Sequence, residues 1–514
     1  MFKKLNVFVF LILLFTFPGR AQESVLNNLP YKVSKPYKVF DFDHNFYVTK
    51  NNEIVVIKFI RSQCIIQRFN TGIPQLIKEN TYSDFFSNGF RIEAFKEIGG
   101  KFYFFYSLLN KEKKCEEILA QEVDFEAAEF INQPKIIINS EGKPKLIKQT
   151  EYLHKDRTTI GSSYEFIQPK DKSNLLIKYV AFLNGKDDSV IKINLIDKNL
   201  LSTYSKTVPY DNRFSFVLSN LLDTNGNFYF ATKKISKGEK EDTYKIYLNT
   251  LKFNSNGLIT EELNLDNRFI NELWIRDFNN EIICGGFTSD FDTSKKAFFS
   301  LKKSVSNNSN GIIIFKSNLD GKIIENFKLN IPEKIVSFYK NQPSINYIEN
   351  LYIHDFEITK NGEIIIIGEQ FISEMENNSG FGIYRDVVIC KVNKKGELDF
   401  VKRLPKAQAS ANESQPFSFK TFYSEDYIYI PFIDNIKNLD NGNTKVEHAS
   451  ADLILSRVSL KDGEISRKFI LNISSNGTNF NKFSIDRFYK SNLNSFCFDA
   501  YKKDKEDVMV TIDF

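Results

Sequence analysis

Short runs of large apolar residues recur along the chain, and each run follows a tight-turn sequence rich in Asn and Gly. Asn-Gly and related pairs favour the positive φ angles of hairpin turns. An uninterrupted β-branched or aromatic run is typical of a strand that is covered on both faces. The pattern therefore predicts a repeated all-β unit. The clearest turns with their runs are residues 51–57, 99–105, 225–230, 279–284 and 361–367.

The apolar run serves as a marker for counting the units. Its spacing along the chain varies from 48 to 82 residues, which is the range of propeller blades with several strands each. A second turn signal follows in most units, as at residues 69–73, 254–258, 318–322, 393–397 and 461–465. Two hairpins per unit give four antiparallel strands, A to D from the axis outward. The marked B strands begin at Ile54, Phe102, Leu175, Phe228, Ile282, Ile364, Ile428 and Phe496.

The two ends of the chain indicate how the ring closes. The last unit shows strand patterns only at residues 485–489, 495–501 and 507–514, so it stops one strand short. Residues 23–33 precede the first A strand and can supply the missing edge strand. We therefore predict an all-β fold, a β-propeller of four-stranded antiparallel blades closed by the N-terminal strand. Eight blades are expected, with seven as the alternative because the third unit has the least regular turns.

The turn-and-strand phrases, such as residues 358–365, resemble those of secreted bacterial β-propellers with degenerate kelch-like or NHL-like repeats. The resemblance extends over nearly all of the chain after residue 21. The marks of the WD type are missing, since Trp274 is the single Trp and no Asp follows it. Such propellers include both binding scaffolds and enzymes, so the resemblance implies a shape and leaves the activity open.

The first residues predict export. Lys3 and Lys4 precede an uncharged stretch at residues 5–18, which is too short to span a bilayer, and Gly19-Arg20-Ala21 fits a cleavage site. We expect residues 1–21 to be a signal peptide and residues 22–514 to form a single β-propeller domain. The mature protein is then expected in the periplasm, at the cell surface or outside the cell, without a membrane span.

Charge and cysteine content exclude some functions. The formal charge of +5 is small for 514 residues, and Lys residues are interleaved with Asp and Glu, so a nucleic-acid partner is not expected. The five cysteines occur singly, with no CxxC motif. Cys64 and Cys115 begin the third strands of neighbouring units, and whether they pair is left open.

Segment lengths distinguish the two faces of the predicted disc. The tight A-B and C-D turns lie on one face, here called the turn face, and the B-C and D-A connections lie on the other, the long-loop face. The longest segments all belong to the long-loop face and concentrate in blades 5 to 7, which favours a binding sector there. They are residues 288–310, 371–385 and 433–450 between B and C strands, and residues 143–162, 331–349 and 406–416 between D and A strands.

Six residues in this sector are candidates for contacts with a glycan or a protein partner. They combine carboxylates, tyrosines and one arginine, which suit polar or aromatic recognition. They are Asp290, Asp292, Tyr339, Tyr347, Tyr384 and Arg385.

Motifs for catalysis and metal binding are weak. His44 and His354 occupy matching places, but their neighbours Asp43 and Asp355 are expected on the opposite strand faces, which argues against a shared site. The sequence lacks G-x-S-x-G, H-E-x-x-H and P-loop motifs. We therefore predict no catalytic residues, no metal ligands and no cofactor.

Three function classes remain. The first is an exported, non-catalytic binding or scaffolding propeller that recognises a glycan or protein partner through the long loops. The second is a carbohydrate-active enzyme, a glycoside hydrolase or lyase, whose carboxylates come from different blades. The third is an outer-membrane β-barrel, because the final strand ends in Phe514 and the chain is rich in aromatic residues. An enzyme is thus left open but is not favoured.

Overall fold

Eight separate antiparallel sheets build the protein. The computed structural model describes residues 31–38, 44–60, 63–86, 90–140, 143–144, 163–183, 189–211, 215–235, 244–255, 257–270, 272–290, 308–337, 347–376, 379–410, 418–434, 452–472, 485–492, 494–502 and 506–514. Each sheet has four principal strands in chain order from A to D, so the fold is an eight-bladed β-propeller. The alternatives of seven blades and of one continuous closed sheet are both wrong.

The strands follow the order of the blades, except that the first two complete the last blade. These two are β1 (Tyr31–Val33) and β2 (Tyr37–Lys38). Blades 1 to 3 contain β3 (His44–Lys50), β4 (Glu53–Ile60), β5 (Gln63–Asn70), β6 (Gln75–Ser83), β7 (Arg91–Ile98), β8 (Lys101–Asn110), β9 (Cys115–Asp124), β10 (Glu129–Asn139), β11 (Lys143–Pro144), β12 (Glu165–Ile167), β13 (Leu175–Phe182), β14 (Ser189–Ile196) and β15 (Ser202–Pro209).

Blades 4 to 6 contain the next fourteen strands. They are β16 (Ser215–Leu222), β17 (Phe228–Ile235), β18 (Tyr244–Leu251), β19 (Leu258–Leu263), β20 (Phe269–Ile270), β21 (Trp274–Phe278), β22 (Glu281–Ser289), β23 (Gly311–Asn318), β24 (Ile323–Asn330), β25 (Leu351–Ile358), β26 (Ile364–Glu376), β27 (Ser379–Val392), β28 (Leu398–Leu404) and β29 (Gln408–Ser410).

Blades 7 and 8 contain the remaining strands. They are β30 (Phe422–Tyr423), β31 (Tyr427–Asp434), β32 (Asp452–Ser459), β33 (Ile465–Asn472), β34 (Tyr489–Asn492), β35 (Ser495–Lys502) and β36 (Glu506–Asp513). Helical structure in the described ranges is confined to α1 (Glu333–Val336) and a 3₁₀ turn at Ile485–Arg487. No helix in those ranges is both long and apolar enough to cross a lipid bilayer.

All eight predicted B strands are confirmed, and their packing explains the apolar runs. Buried residues form eight principal clusters, and each cluster joins two neighbouring blades. In β26, Ile364 and Ile366 pack toward blade 5, whereas Ile365 and Ile367 pack toward blade 7. A B strand is therefore apolar at successive positions because both of its faces are buried between sheets.

Ring closure by the N-terminal strand is confirmed as well. The register of β1 against β36 places Tyr31 opposite Ile512 and Val33 opposite Val510. The chain thus supplies three strands of blade 8 from its end and the outermost strand from its beginning. Pairing the two termini leaves no open sheet at this seam.

The prediction of a long loop at residues 371–385 is wrong. The strands β26 and β27 continue through this segment as a hairpin, with paired residues from Phe371 and Tyr384 to Glu376 and Ser379. On the outer side, β29 pairs with β27 over three residues. Asn, Ser and Gly residues gave the segment a loop-like composition, but strand pairing uses backbone groups and tolerates such side chains.

The other long segments are only partly described. Residues 291–307, 338–346, 411–417 and 435–451 lie outside the described ranges. The segment after blade 5 begins with α1, whose Ile335 and Val336 pack into the core between blades 5 and 6. All five cysteines are free thiols, so the pairing of Cys64 with Cys115 that the sequence left open is absent.

Candidate functional site

Charged residues from several blades meet near the propeller axis. Residues of blades that are not neighbours in the ring contact each other only close to this axis, so such contacts identify the groups that lie there. The ammonium group of Lys170 in blade 3 donates a hydrogen bond to the carbonyl oxygen of Asp277 in blade 5, at 2.9 Å. We call these groups the axial cluster, which consists of Lys170, Arg276, Asp277, Asp355, Glu357, Tyr423 and Lys490.

Blade 6 provides the Asp355 and Glu357 carboxyl groups of the axial cluster, beside Asp277 of blade 5. Asp355 accepts hydrogen bonds from the hydroxyl groups of Thr421 and Tyr423, both on the inner segment of blade 7. Burial and the charge of Asp355 together raise the pKa of Tyr423 far above its ordinary value. Tyr423 therefore stays a neutral hydrogen-bond donor to the carboxylate.

Glu357 lies two residues further along the same strand. Burial raises its pKa, the nearby carboxylate of Asp355 raises it as well, and the cations of Arg276 and Lys170 oppose the shift. The ammonium group of Lys490 in blade 8 donates to the carbonyl oxygen of Tyr423 at 3.1 Å. The cluster thus combines cations from blades 3, 5 and 8 with carboxyl groups from blades 5 and 6 and the Tyr423 hydroxyl group of blade 7.

A β-bulge brings His354 to the same side as its neighbour Asp355. In the register of β25 against β26, Ile353 faces Gly368 and Asp355 faces Ile367, so His354 is the extra residue. The imidazole ring stacks on Phe419 of blade 7, with 3.7 Å between ring centroids, while Asp355 also bonds to blade 7. The sequence expectation that a histidine and its adjacent aspartate must point to opposite faces is therefore wrong for this pair.

Glu272 is a half-buried carboxylic acid between blades 5 and 6. One of its carboxyl oxygens accepts a hydrogen bond from the backbone N–H group of Ile353, at 2.6 Å. Burial of the carboxyl group raises its pKa from 4.5 to about 8, and the hydrogen bond from Ile353 only partly offsets this effect. Glu272 is therefore largely protonated at neutral pH and can donate a proton, unlike an ordinary surface glutamate.

A buried network supports the long-loop face between blades 6 and 7. Lys406 and Glu369 are both completely buried, and the ammonium nitrogen lies 2.5 Å from a carboxylate oxygen. The hydroxyl group of Ser418 donates to the second carboxylate oxygen, also at 2.5 Å. Lys406 additionally donates to the side-chain oxygen of Gln408 at 2.7 Å. These bonds fix the D-A connection after blade 6 at the base of the β26–β27 hairpin.

The structure places the six candidate residues in different surroundings. Asp290 is half-exposed, bonds to Asn310 at 3.1 Å and lies 3.5 Å from the guanidinium group of Arg268. Tyr347 is half-buried, and Arg385 is exposed. Tyr384 is buried against Phe371, with 4.9 Å between ring centroids, so its ring is part of the core. Asp292 and Tyr339 lie outside the described residues.

Sequence reasoning missed most of the inward-facing groups. Glu272 and Arg276 lie two residues before and after Trp274, the only Trp of the chain, but no local sequence motif identifies them. Within the described ranges, no group of three or more His, Cys, Asp or Glu side chains is arranged to hold a metal ion. The chemistry available near the axis is hydrogen bonding, ion pairing and proton donation.

Comparisons with known proteins concern the shape of the chain. No protein-family model matches it, and no curated protein matches its sequence. Prolyl oligopeptidase B from Galerina marginata is 9% identical with a TM-score of 0.40, and the match covers 93% of this chain and 55% of that protein. The chain thus spans little more than half of its length.

Two other solved structures are similar over most of both chains. The WD40 domain of SCAP from fission yeast is 7% identical with a TM-score of 0.33, covering 94% of this chain and 95% of that one. The β-propeller domain of the Trilobed protease from Pyrococcus furiosus is 13% identical with a TM-score of 0.33, covering 84% and 96%. At these sequence identities and TM-scores, the similarity supports no inference about function.

Proposed function

We propose that the protein is an exported, non-catalytic binding or scaffolding propeller of the kelch-like or NHL-like kind. In this proposal the long-loop face over blades 5 to 7 recognises a glycan or a protein partner. Asp290 and Arg385 are then its accessible polar contacts among the described residues, and Asp292 and Tyr339 are further candidates. The export and the binding role both rest on the sequence and on the shape of this sector.

One observation carries the proposal, namely the projection of blade 6 above its neighbours. Strands β26 and β27 have 13 and 14 residues, whereas β22 and β31 of the adjacent blades have 9 and 8. Five residue pairs from Ile372 onward extend past the buried pair of Phe371 and Tyr384, which at about 3.3 Å per residue is roughly 17 Å of projecting sheet. A role in recognition would account for strands that continue this far beyond those of the adjacent blades.

The test removes the projection without touching the ring. Replacing residues 373–382 by a two-residue Asn-Gly turn joins Ile372 to Ile383, which already face each other across the hairpin. We expect the variant to fold, because a shorter connection costs no more closure entropy. On glycan and peptide arrays it should lose the signals that the intact chain gives. Normal binding by this variant would overturn the proposal.

A matched control changes charge on the turn face. Lys360 forms an ion pair with Glu425 there, and both side chains are mostly exposed. Substituting Lys360→Glu should leave array binding unchanged. If this substitution abolishes binding while the shortened hairpin binds normally, the two faces have been assigned in reverse.

A second candidate, the carbohydrate-active enzyme, is favoured by the carboxyl groups near the axis. Glu272 has a pKa of about 8 and can act as a general acid, while Asp355 accepts hydrogen bonds from two hydroxyl groups. Incubation with a panel of oligosaccharides, followed by mass spectrometry of the products, tests this role. Cleavage that disappears in Glu272→Gln would support the enzyme, whereas the absence of any product would leave the binding role as the better description.

A further inference from the structure

The outer rim of blade 6 carries a groove that belongs to neither the axis nor the long-loop face. Its volume is about 570 Å³, and three parts of the chain line it. They are the start of α1, the outermost strand β28 and the C-D turn of blade 7. The lining residues are Pro332, Lys334, Ile335, Leu398, Asp399, Phe400, Val401, Lys402, Arg403 and Asp462.

The groove follows the edge of a strand. Six consecutive residues of β28, from Leu398 to Arg403, line it. Successive side chains of a strand point to opposite faces, so a groove lined by all of them runs along the strand edge and not over one face. In the described part of the chain β28 pairs only with β27, which leaves its outer backbone N–H and C=O groups facing the groove.

The walls of the groove combine an apolar floor with cations. Val401 and Ile335 of α1 are buried together between blades 5 and 6, whereas Phe400 is buried on the other face of β28, between blades 6 and 7. Lys334 and Lys402 form no ion pair with any described residue. The carboxylate of Asp462 lies near Lys402 and weakly attracts the ammonium group. One of the carboxylate oxygens accepts a hydrogen bond from the backbone N–H group of Glu464 at 3.0 Å.

The remaining charges of the groove are already paired. The carboxylate of Asp399 lies 3.2 Å from the ammonium nitrogen of Lys391. The guanidinium group of Arg403 pairs with the nearly buried Asp386. Lys334 and Lys402 therefore bring two positive charges to the groove against the one carboxylate of Asp462, which leaves the groove positive for an incoming molecule.

We propose that this groove binds an extended acidic peptide segment of a partner protein, which adds to β28 as a fifth strand. The free backbone edge supplies the main-chain hydrogen bonds of such a strand addition. The side chains of the added strand alternate between the blade 5 side, where Lys334 and Ile335 lie, and the blade 7 side, where Lys402 and Phe400 lie, so acidic side chains on either side meet a lysine. This surface is independent of the function proposed for the long-loop face.

The experiment uses a fluorescein-labelled ten-residue peptide of alternating Val and Glu, with a Val-Lys peptide of the same length as its control. Fluorescence anisotropy should show saturable binding of the Val-Glu peptide and none of the Val-Lys peptide. A double substitution, Lys334→Glu with Lys402→Glu, should weaken binding about tenfold or more, since the attraction becomes repulsion on whichever side the Glu side chains lie. Unchanged affinity in the double variant would overturn the proposal.

A second measurement separates strand addition from simple charge attraction. N-methylation of alternate Val residues in the Val-Glu peptide removes backbone donors while its charge stays the same, so affinity should fall about tenfold or more. Equal binding of the methylated peptide would refute the strand addition. Sedimentation of the free protein at the working concentration should show a single species, and self-association that the peptide displaces would assign the groove to a second copy instead.

The shortened-hairpin variant keeps the two tests apart. Because residues 373–382 lie at the far end of the B and C strands, this variant should bind the Val-Glu peptide with unchanged affinity. Loss of peptide binding in that variant would contradict an independent site on the rim. Conversely, failure of the array experiment leaves the peptide result standing.

Discussion

The hydroxyl group of Tyr37 donates a hydrogen bond to the carboxylate of Asp499, which lies 462 positions later in the chain. The ammonium nitrogen of Lys58 in blade 1 lies 3.6 Å from the second oxygen of the same carboxylate. Lys58 and Asp499 are almost completely buried. Asp499 thus joins the N-terminal segment, the first blade and the last blade in one polar contact at the seam.

Removing the hydroxyl group should weaken this seam. We expect Tyr37→Phe to lower the free energy of unfolding by about 1–3 kcal/mol, because a buried carboxylate loses one of its donors. Urea denaturation followed by fluorescence measures the change. Tyr31→Phe is the matched control, since Tyr31 is 49% exposed in the neighbouring strand, and it should have almost no effect. Equal stability of Tyr37→Phe and the unsubstituted protein would contradict the role of this contact.

The ion pair between Lys406 and Glu369 gives a second prediction. Substituting Lys406→Met leaves the carboxylate of Glu369 buried without its cation, which should cost about 3–5 kcal/mol of stability. Lys360→Met breaks an exposed pair with Glu425 and should change stability by less than about 1 kcal/mol. Thermal unfolding of the two variants side by side provides the comparison. A loss of similar size in both would show that the buried network does not hold the base of the hairpin.

Alanine substitutions at two glycines with the same backbone conformation distinguish the cost of backbone strain from the cost of a side-chain clash. Gly396 has φ of +83°, and a Cβ atom there would lie 2.0 Å from the ring of Phe327 in blade 5. Gly100 has φ of +84° with no atom within 4 Å of such a Cβ. Gly100→Ala should therefore cost only the backbone strain, about 1–2 kcal/mol.

The packing term appears as the difference between the two variants. We expect Gly396→Ala to cost about 1–3 kcal/mol more than Gly100→Ala, because the turn must move away from Phe327. Denaturant midpoints with unchanged slopes would measure this difference. Identical losses would mean that the C-D turn of blade 6 yields freely and that it does not pack firmly on blade 5.

Glu272 predicts a pH dependence of stability. Its pKa in the folded chain is about 8, above the ordinary value of 4.5, so between these values the folded state binds a proton that the unfolded state has lost. Stability should therefore fall as the pH rises through this window, by at most about 1.4 kcal/mol per pH unit, and level off above pH 8. Glu272→Gln keeps an acceptor for Ile353 and should remove this slope. An unchanged pH profile in that variant would place the titration elsewhere.

The sequence predicted the blades because their burial is periodic. Ile364 to Ile367 are all apolar since neighbouring blades cover both faces, and the turn residues around them set the hairpins. The missing D strand of blade 8 could be inferred by counting strands at the two ends. These features depend on local patterns and on the need to pair every edge.

The site could not be predicted in the same way. The bulge at His354 places its side chain on the same side of the sheet as that of Asp355, and no sequence pattern within the strand predicts this bulge. The raised pKa of Glu272 depends on its burial between blades 5 and 6, beside Ile353, which is 81 positions away. Tyr384 was expected at a surface, but the continued hairpin packs it against Phe371. Each of these outcomes is decided by contacts between strands or between blades.

The pairing of the two termini also delays ring closure until the end of synthesis. Ser34 and Met509 exchange hydrogen bonds through the Ser34 N–H and hydroxyl groups across 475 positions. At about 5–20 residues per second, a ribosome emits the second partner roughly 25 to 95 seconds after the first. During this time the first strand has no partner strand, so blade 8 of the nascent chain is incomplete. The ring can close only after the last strand has been synthesised. A chain whose synthesis is interrupted keeps an unpaired strand that is open to proteolysis and aggregation.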